Sequence, residues 1–160
     1  MTIYLAADHA GFTLKEALRV FLEKSGHNVI DCGAYKLDPI DDYPDFVIKA
    51  AKLVSKDSRA RAIILGGSGQ GEAMVANRYD GVRCAVFYGP MQPKLMIDAE
   101  GHASNDPYSI VKLERMHNDA NILSLGARFI TPTEAQRAVE LFLQTEFSAG
   151  ERHIRRIAKF

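Results

Sequence analysis

Apolar residues in this chain follow two alternating rhythms. Short, nearly solid apolar runs recur at 2–7 (TIYLAA), 27–33 (HNVIDCG), 60–67 (ARAIILGG), 82–89 (VRCAVFYG) and within 121–130 (NILSLGARFI). Their length and the glycines that bound them predict five strands. The third is apolar throughout, as a strand covered on both faces should be. Between the runs, apolar positions fall three and four apart. Residues 12–25 carry Leu14, Leu18, Phe21 and Leu22 and stop at Gly26, a helix with a glycine beyond its end. The segment 42–57 (DYPDFVIKAAKLVSKD) reads as a second helix, with Pro44 tolerable near its first turn. Residues 71–78 open a third. The stretch 131–147 (TPTEAQRAVELFLQTEF) has helical spacing through Leu141, and Thr131 or Thr133 is available as its cap.

Strands alternating with helices imply a parallel sheet with helices on both faces. The expected architecture is therefore α/β: a three-layer α/β/α, Rossmann-like domain with a five-stranded parallel sheet, spanning 1–160 as a single unit. A short basic arm, 148–160, closes the chain. In such sheets ligands bind beyond the carboxyl ends of the strands. Three loops are expected there: Ala7-Asp8-His9-Ala10-Gly11, the glycine-rich run after the third strand, and the turn around Gly126-Ala127-Arg128.

Composition narrows the classes. Twenty Lys and Arg balance twenty Asp and Glu, which argues against a general nucleic-acid binder or a protein held on an anionic membrane. No apolar run is long enough to span a bilayer. The N-terminus lacks the charged region and cleavage pattern of a secretion signal. Two cysteines, Cys32 and Cys84, sit within strand-like runs without metal-type spacing. Reduced core thiols in a cytoplasmic protein are the expectation.

The densest chemistry lies in LGGSGQGEAMVANR, 65–78. Four glycines, a serine and an acid fall within 66–72. Glycine costs conformational entropy, so bare backbone is needed there. A dinucleotide fingerprint fails, because its final small residue meets Glu72 or Met74 instead. A phosphate loop of the Walker type fails too, because Glu72 stands where the lysine belongs. What remains is a set of N–H donors at a helix start beside a carboxylate. That suits a ligand with an oxyanion at one atom and an acidic proton close by. Alone, Glu72 also reads as an ordinary first-turn acid, Ser68 as a cap, and Asp8-His9 as turn residues.

The segments AADHAGFTLK, DYPDF, GGSGQGEAMVANR, HNDANILSLGARF and GERHIRRI, in that order and spacing, resemble the type B ribose-5-phosphate isomerases and the related galactose- and allose-phosphate isomerases. The resemblance covers nearly the whole chain. It implies a cytoplasmic enzyme of carbohydrate metabolism, such as the pentose phosphate pathway, that interconverts an aldose phosphate and a ketose phosphate. It implies no metal and no organic cofactor. It also implies a homodimer or a dimer of dimers with sites at the subunit interface. One branch of the family carries a catalytic cysteine at the position of Gly66. The other carries a glutamate at the position of Glu72, and this chain resembles the second.

Roles follow from the resemblance. Glu72 is the base that moves a proton between C2 and C1 through a cis-enediolate, kept ionised by the helix dipole. The N–H groups of Gly67, Ser68, Gly69, Gln70 and Gly71, with the Ser68 hydroxyl, hold the oxyanion. His117 protonates the ring oxygen for ring opening, with Asp8 receiving the hydroxyl proton, and Asn118 holds a sugar hydroxyl. Arg128, Arg152 and Arg156 bind the phosphate with help from His9. Arg152 and Arg156 are four apart, hence on one helical face. Tyr43 and His153 are further candidates near the sugar and the phosphate. Asp119 and Asn121 are expected to cap the turn into the fifth strand.

The match weakens around 89–107, where MQPKLMIDAEGHASNDPYS (91–109) reads as an insertion. It bears on substrate identity, so ribose 5-phosphate and ribulose 5-phosphate lead, with a tetrose phosphate, allose 6-phosphate or galactose 6-phosphate as alternatives. A non-catalytic sensor of a sugar phosphate or nucleotide is the alternative from another class. It would need the arginines and the glycine loop but neither Glu72 nor His117.

Overall fold

The computed structural model describes all 160 residues. Five strands, β1 (Thr2–Ala7), β2 (Asn28–Asp31), β3 (Arg61–Gly66), β4 (Cys84–Phe87) and β5 (Ile122–Gly126), form one sheet in the order β2-β1-β3-β5-β4. Every pairing is parallel. Six helices accompany them: α1 (Phe12–Lys24), α2 (Pro44–Lys56), α3 (Gln70–Ala76), α4 (Ser109–Asn118), α5 (Pro132–Gln144) and α6 (Glu151–Ile157). None is long and apolar enough to cross a membrane.

The three-layer expectation holds because strand residues alternate between two cores. Ile3, Leu5, Ile63 and Leu65 face α1, α4 and α5, meeting Leu18, Val111 and Phe142. Ala6, Ala62 and Ile64 face α2 and α3, meeting Val47, Val54 and Ala76. The period of two in each strand separates the layers. One charge is sunk in the first layer: Lys15 is fully buried, and its Nζ donates to Asp31 at 2.6 Å and lies 3.0 Å from Glu16.

The strand predictions ran long at β2 and β4. These are the two edges of the sheet, and each is trimmed to four residues. Pro44 takes the first turn of α2. Of the two candidate threonines, Thr131 caps α5: its hydroxyl accepts from the Glu134 N–H, and Glu134 reaches back to the Thr131 N–H at 2.8 Å. This reciprocal box satisfies two donors at the helix start.

The topology decides where a ligand can sit. From β1 the chain turns into α1 on one face, and from β3 it turns into α3 on the other. The loops after these two neighbouring strands diverge, and a crevice opens between them at the carboxyl edge. Leaving β4, residues 88–108 form neither helix nor strand. Asp98 braces part of this stretch, accepting from the Glu100 and His102 N–H groups and lying 2.6 Å from the His102 ring.

Candidate active site

The glycine loop is pinned by its neighbours. Gly69 is the N-cap of α3, with φ of +74°, a left-handed conformation that favours glycine. Its carbonyl accepts the Ser124 hydroxyl of β5 at 2.6 Å. The β5 end continues the tie, with Ala127 N–H donating to Gly66 and Arg128 N–H to Gly67. Gly71 lies under Tyr43, and a Cβ there would come within 2.6 Å of the phenol oxygen. Ser68 does not cap the helix; its hydroxyl accepts only a long 3.4 Å contact from the Gln70 N–H.

Glu72, on the first turn of α3, is 3% exposed. Its carboxylate lies against the Cα of Gly66, in the space any side chain at 66 would fill. Burial raises its pKa above the usual carboxylate range, its own N–H works against that, and the Asp8 charge adds to the rise. The expectation that the helix dipole keeps Glu72 ionised is opposed by this burial, which favours the neutral form.

Asp8, His9, Ala10, Tyr43, Gly67, Ser68, Gly71, Glu72, Arg128 and Phe129 line one open cavity of about 330 Å³ at the carboxyl edge. Asp8 is buried, and one of its oxygens accepts the Ala10 N–H at 2.9 Å and the Gly11 N–H at 3.2 Å. Asp8 thus braces the turn after β1 while it borders the cavity. His9 Nδ1 lies 2.8 Å from Asp41 and 4.0 Å from Asp8. Asp8, His9 and Asp41 have the donor types of a metal site, but here the imidazole and Asp41 satisfy each other. Arg128 reaches over Gly67, where its guanidinium would lie 3.2 Å from an added Cβ. Asp41 and Phe129 are absent from the sequence-predicted set. Asp41 stands just before the DYPDF segment, in a polar loop whose pattern does not mark it.

Two predicted residues stay off this wall: Gly69 is buried beneath the loop and Gln70 faces solvent. Five more form a second group. His117 and Asn118 end α4, which runs back across the sheet, so they lie at the opposite, amino edge. The length of β5, roughly 13–16 Å at strand rise, separates the two edges. His117 stacks on His153 of α6, ring centroids 4.3 Å apart and planes 11° from parallel. Burial, then the neighbouring His117, Arg152 and Arg156, lowers the His153 pKa. Arg152 pairs with Glu100 at 3.0 Å, and Arg156 is exposed. Asp119 and Asn121 serve the turn as expected. Asp119 closes α4 in a left-handed conformation and pairs with Arg83 and Arg115, and the Asn121 side chain bridges Arg83 N–H and the Gly81 carbonyl.

The cysteines stay out of the chemistry. Burial pushes the Cys32 thiol up to about 11 and raises Cys84 further, so both are neutral thiols at physiological pH.

Comparison with known proteins agrees along the whole chain. The family model described as Ribose/Galactose Isomerase matches residues 3–100 and 102–160. Ribose-5-phosphate isomerase B of Mycolicibacterium paratuberculosis is 40% identical over 157 residues, 98% of this chain and 87% of that protein. The probable ribose-5-phosphate isomerase B of Mycoplasma pneumoniae is 36% identical, covering 98% of this chain and 91% of its own. Among solved structures, ribose-5-phosphate isomerase B of Mycoplasma genitalium with bound ribulose-5-phosphate superposes with a TM-score of 0.84 and 35% identity, over 99% of this chain and 92% of that one. The Clostridium thermocellum enzyme gives 0.84 at 34% identity, over 99% and 94%.

Proposed function

We propose, from the premise that this chain belongs to the ribose/galactose isomerase family, that it interconverts D-ribose 5-phosphate and D-ribulose 5-phosphate without a cofactor. The single observation that carries the reading is the buried Glu72 carboxylate beside the amide loop, with a pKa raised by desolvation. A base that must take a proton from carbon and return it to the next carbon works best when its pKa approaches the working pH. An acid that only decorated a first helical turn would lie in water.

In this reading the sugar sits in the cleft with C1 and C2 over Glu72. The carboxylate removes the C2 proton, and the cis-enediolate oxygen is held by the N–H groups of Gly67, Ser68 and Gly71 and the Ser68 hydroxyl. Glu72 then returns the proton to C1, while the hydroxyl proton of O2 passes to O1 and leaves the ketone at C2. Losing one such donor typically costs about 3 kcal/mol of transition-state stabilisation. Arg128 and His9 bind the phosphate from the same wall. Arginine forks suit phosphate oxygens.

Ring opening and the rest of the phosphate clamp are assigned to His117, Asn118, Arg152 and Arg156. Within one chain these lie at the far edge of the sheet. We therefore assign them to a second copy, in a homodimer whose two sites each join the carboxyl edge of one chain to the α4–α6 corner of the other. His153, against which His117 stacks, orients that ring.

The test is proton exchange. Incubated with ribose 5-phosphate in deuterated water, the protein is expected to form ribulose 5-phosphate and to exchange the proton at C2. Glu72→Gln is expected to lower kcat by about a thousandfold or more with a modest change in KM, the mark of an interaction made in the transition state. Phosphate-competitive binding without exchange by the unaltered protein would instead make it a sensor.

A further inference from the structure

We propose that Asp41 is a positioning residue for this reaction: it clamps the His9 imidazole so that Nε2 is presented to the substrate phosphate as a cationic donor. The proposal rests on the reading that His9 meets the phosphate.

The geometry singles out the pair. One oxygen of Asp41, Oδ1, accepts both the His9 backbone N–H at 2.9 Å and the His9 Nδ1–H at 2.8 Å. The two residues are 32 apart in sequence, so the contact is tertiary rather than a local turn. Holding backbone and ring on one acceptor removes the freedom of the side chain about its bonds to the ring. Because Nδ1 is used inward, Nε2 is the nitrogen left for the cavity that His9 lines. Carboxylate-to-imidazole contacts of this kind fix the tautomer and raise the basicity of the ring.

Burial supports the assignment. The Asp41 side chain is 9% exposed and the His9 side chain 33%. Asp41 Oδ2 has no hydrogen-bond partner, so Asp41 spends all its acceptor contacts on His9. A nearly buried carboxylate with half its capacity unmet is costly. A cation held against it offsets that cost.

The groups facing His9 are Asp41 from the loop before α2, Asp8 beside it, and Tyr43, Glu72 and Arg128 on the cavity wall. The Asp41 hydrogen bond is the largest influence on the ring and raises its pKa, with Asp8 adding to the rise against burial. A protonated ring donates a charge-assisted hydrogen bond to phosphate, and a neutral one offers far less. Removing the Asp41 charge lowers the His9 pKa, so the ring loses its proton at lower pH.

The experiment is Asp41→Asn in the full-length protein, assayed with ribose 5-phosphate across the neutral range. KM is expected to rise roughly tenfold, several-fold more than kcat falls, as one charge-assisted contact weakens. The limb where KM climbs with pH is expected to move to lower pH relative to the unaltered protein. In a His9→Gln background, Asp41→Asn is expected to add almost nothing. Ring ¹⁵N chemical shifts of His9 in the unaltered protein provide a reading that needs no variant to fold. The ring is expected to titrate above the ordinary histidine value, with Nδ1–H retained on deprotonation. A ring that titrates at or below the ordinary histidine value, or that keeps its proton on Nε2, overturns the proposal. So does an Asp41→Asn protein whose KM and pH limb stay in place while isomerisation persists. If the unaltered protein does not isomerise the sugar at all, the functional reading falls, and the ring shifts still decide the Asp41–His9 clamp.

Discussion

At the scale of single residues, Gly66 and Glu72 are one structural choice. The carboxylate of Glu72 occupies the volume that a side chain at 66 would need. A cysteine at 66, which the resemblance implies for the other branch, would need the same space. Gly66 sits at the end of β3 in ordinary backbone, so alanine there is conformationally allowed, and its whole effect falls on Glu72. Gly66→Ala is expected to lower kcat by about a hundredfold or more while Tm moves only a few degrees. With Glu72 as the proposed base, both changes remove it, so the Gly66→Ala/Glu72→Gln double variant is expected to turn over no more slowly than Glu72→Gln alone. Steady-state kinetics of the three variants checks this. Fully additive losses would show that Gly66 acts on something other than Glu72.

At the scale of elements, the hydrophobic rhythm made the helices and the central strands legible, because β1, β3 and β5 are covered on both faces and read as near-continuous apolar runs. The edge strands were harder. β2 alternates between exposed and half-buried residues, so its pattern does not say where pairing stops. Asp41 went unread for a similar reason: an aspartate in a polar loop has no periodicity, and only its tertiary contact with His9 marks it. α4 holds a further departure from pattern. Glu114 is 6% exposed on the buried side of this helix, one oxygen lacks a partner, and burial lifts its pKa from 4.5 to about 8. The folded state keeps this proton where the unfolded chain releases it. Stability is therefore greatest at low pH as far as this group is concerned, and its contribution is lost as pH rises from about 5 to about 8. Glu114→Gln is expected to flatten that slope. Denaturant titrations should find it more stable than the unaltered protein above about pH 8, by up to a few kcal/mol, with the gap closing toward about pH 5. An equal gap at both ends would mean that Glu114 does not carry the proton.

At the scale of the whole molecule, the α/β alternation already implied that a helix between two parallel strands returns to the amino edge, and α4 does so, carrying His117 and Asn118 away from Glu72. Chain order alone does not say how such residues meet. One copy has the cleft with Glu72 and Arg128, and the corner with His117, Arg152 and Arg156, on opposite edges of one five-stranded sheet. The proposed two-fold pairing would repair this, because an isologous interface that brings one chain's cleft to its partner's corner makes two equivalent sites at once. The arrangement has a consequence that no single-chain site shares. On the proposed roles, a Glu72→Gln homodimer would lack the base at both sites, and a His117→Ala homodimer the ring-opening acid at both. In a heterodimer of the two, one site collects both lesions and the other collects neither. After equimolar subunit exchange, half the molecules are heterodimers with one intact site of two, so activity should recover to about a quarter of the unaltered level. Mixing the purified variants under mild dissociating conditions, then assaying after re-association, measures this directly. Recovery approaching that level requires the shared site. If the mixture stays as inactive as its parts while chromatography shows that heterodimers have formed, each chain must complete its own site, and α4 and α6 would have to act on Glu72 from within the same copy.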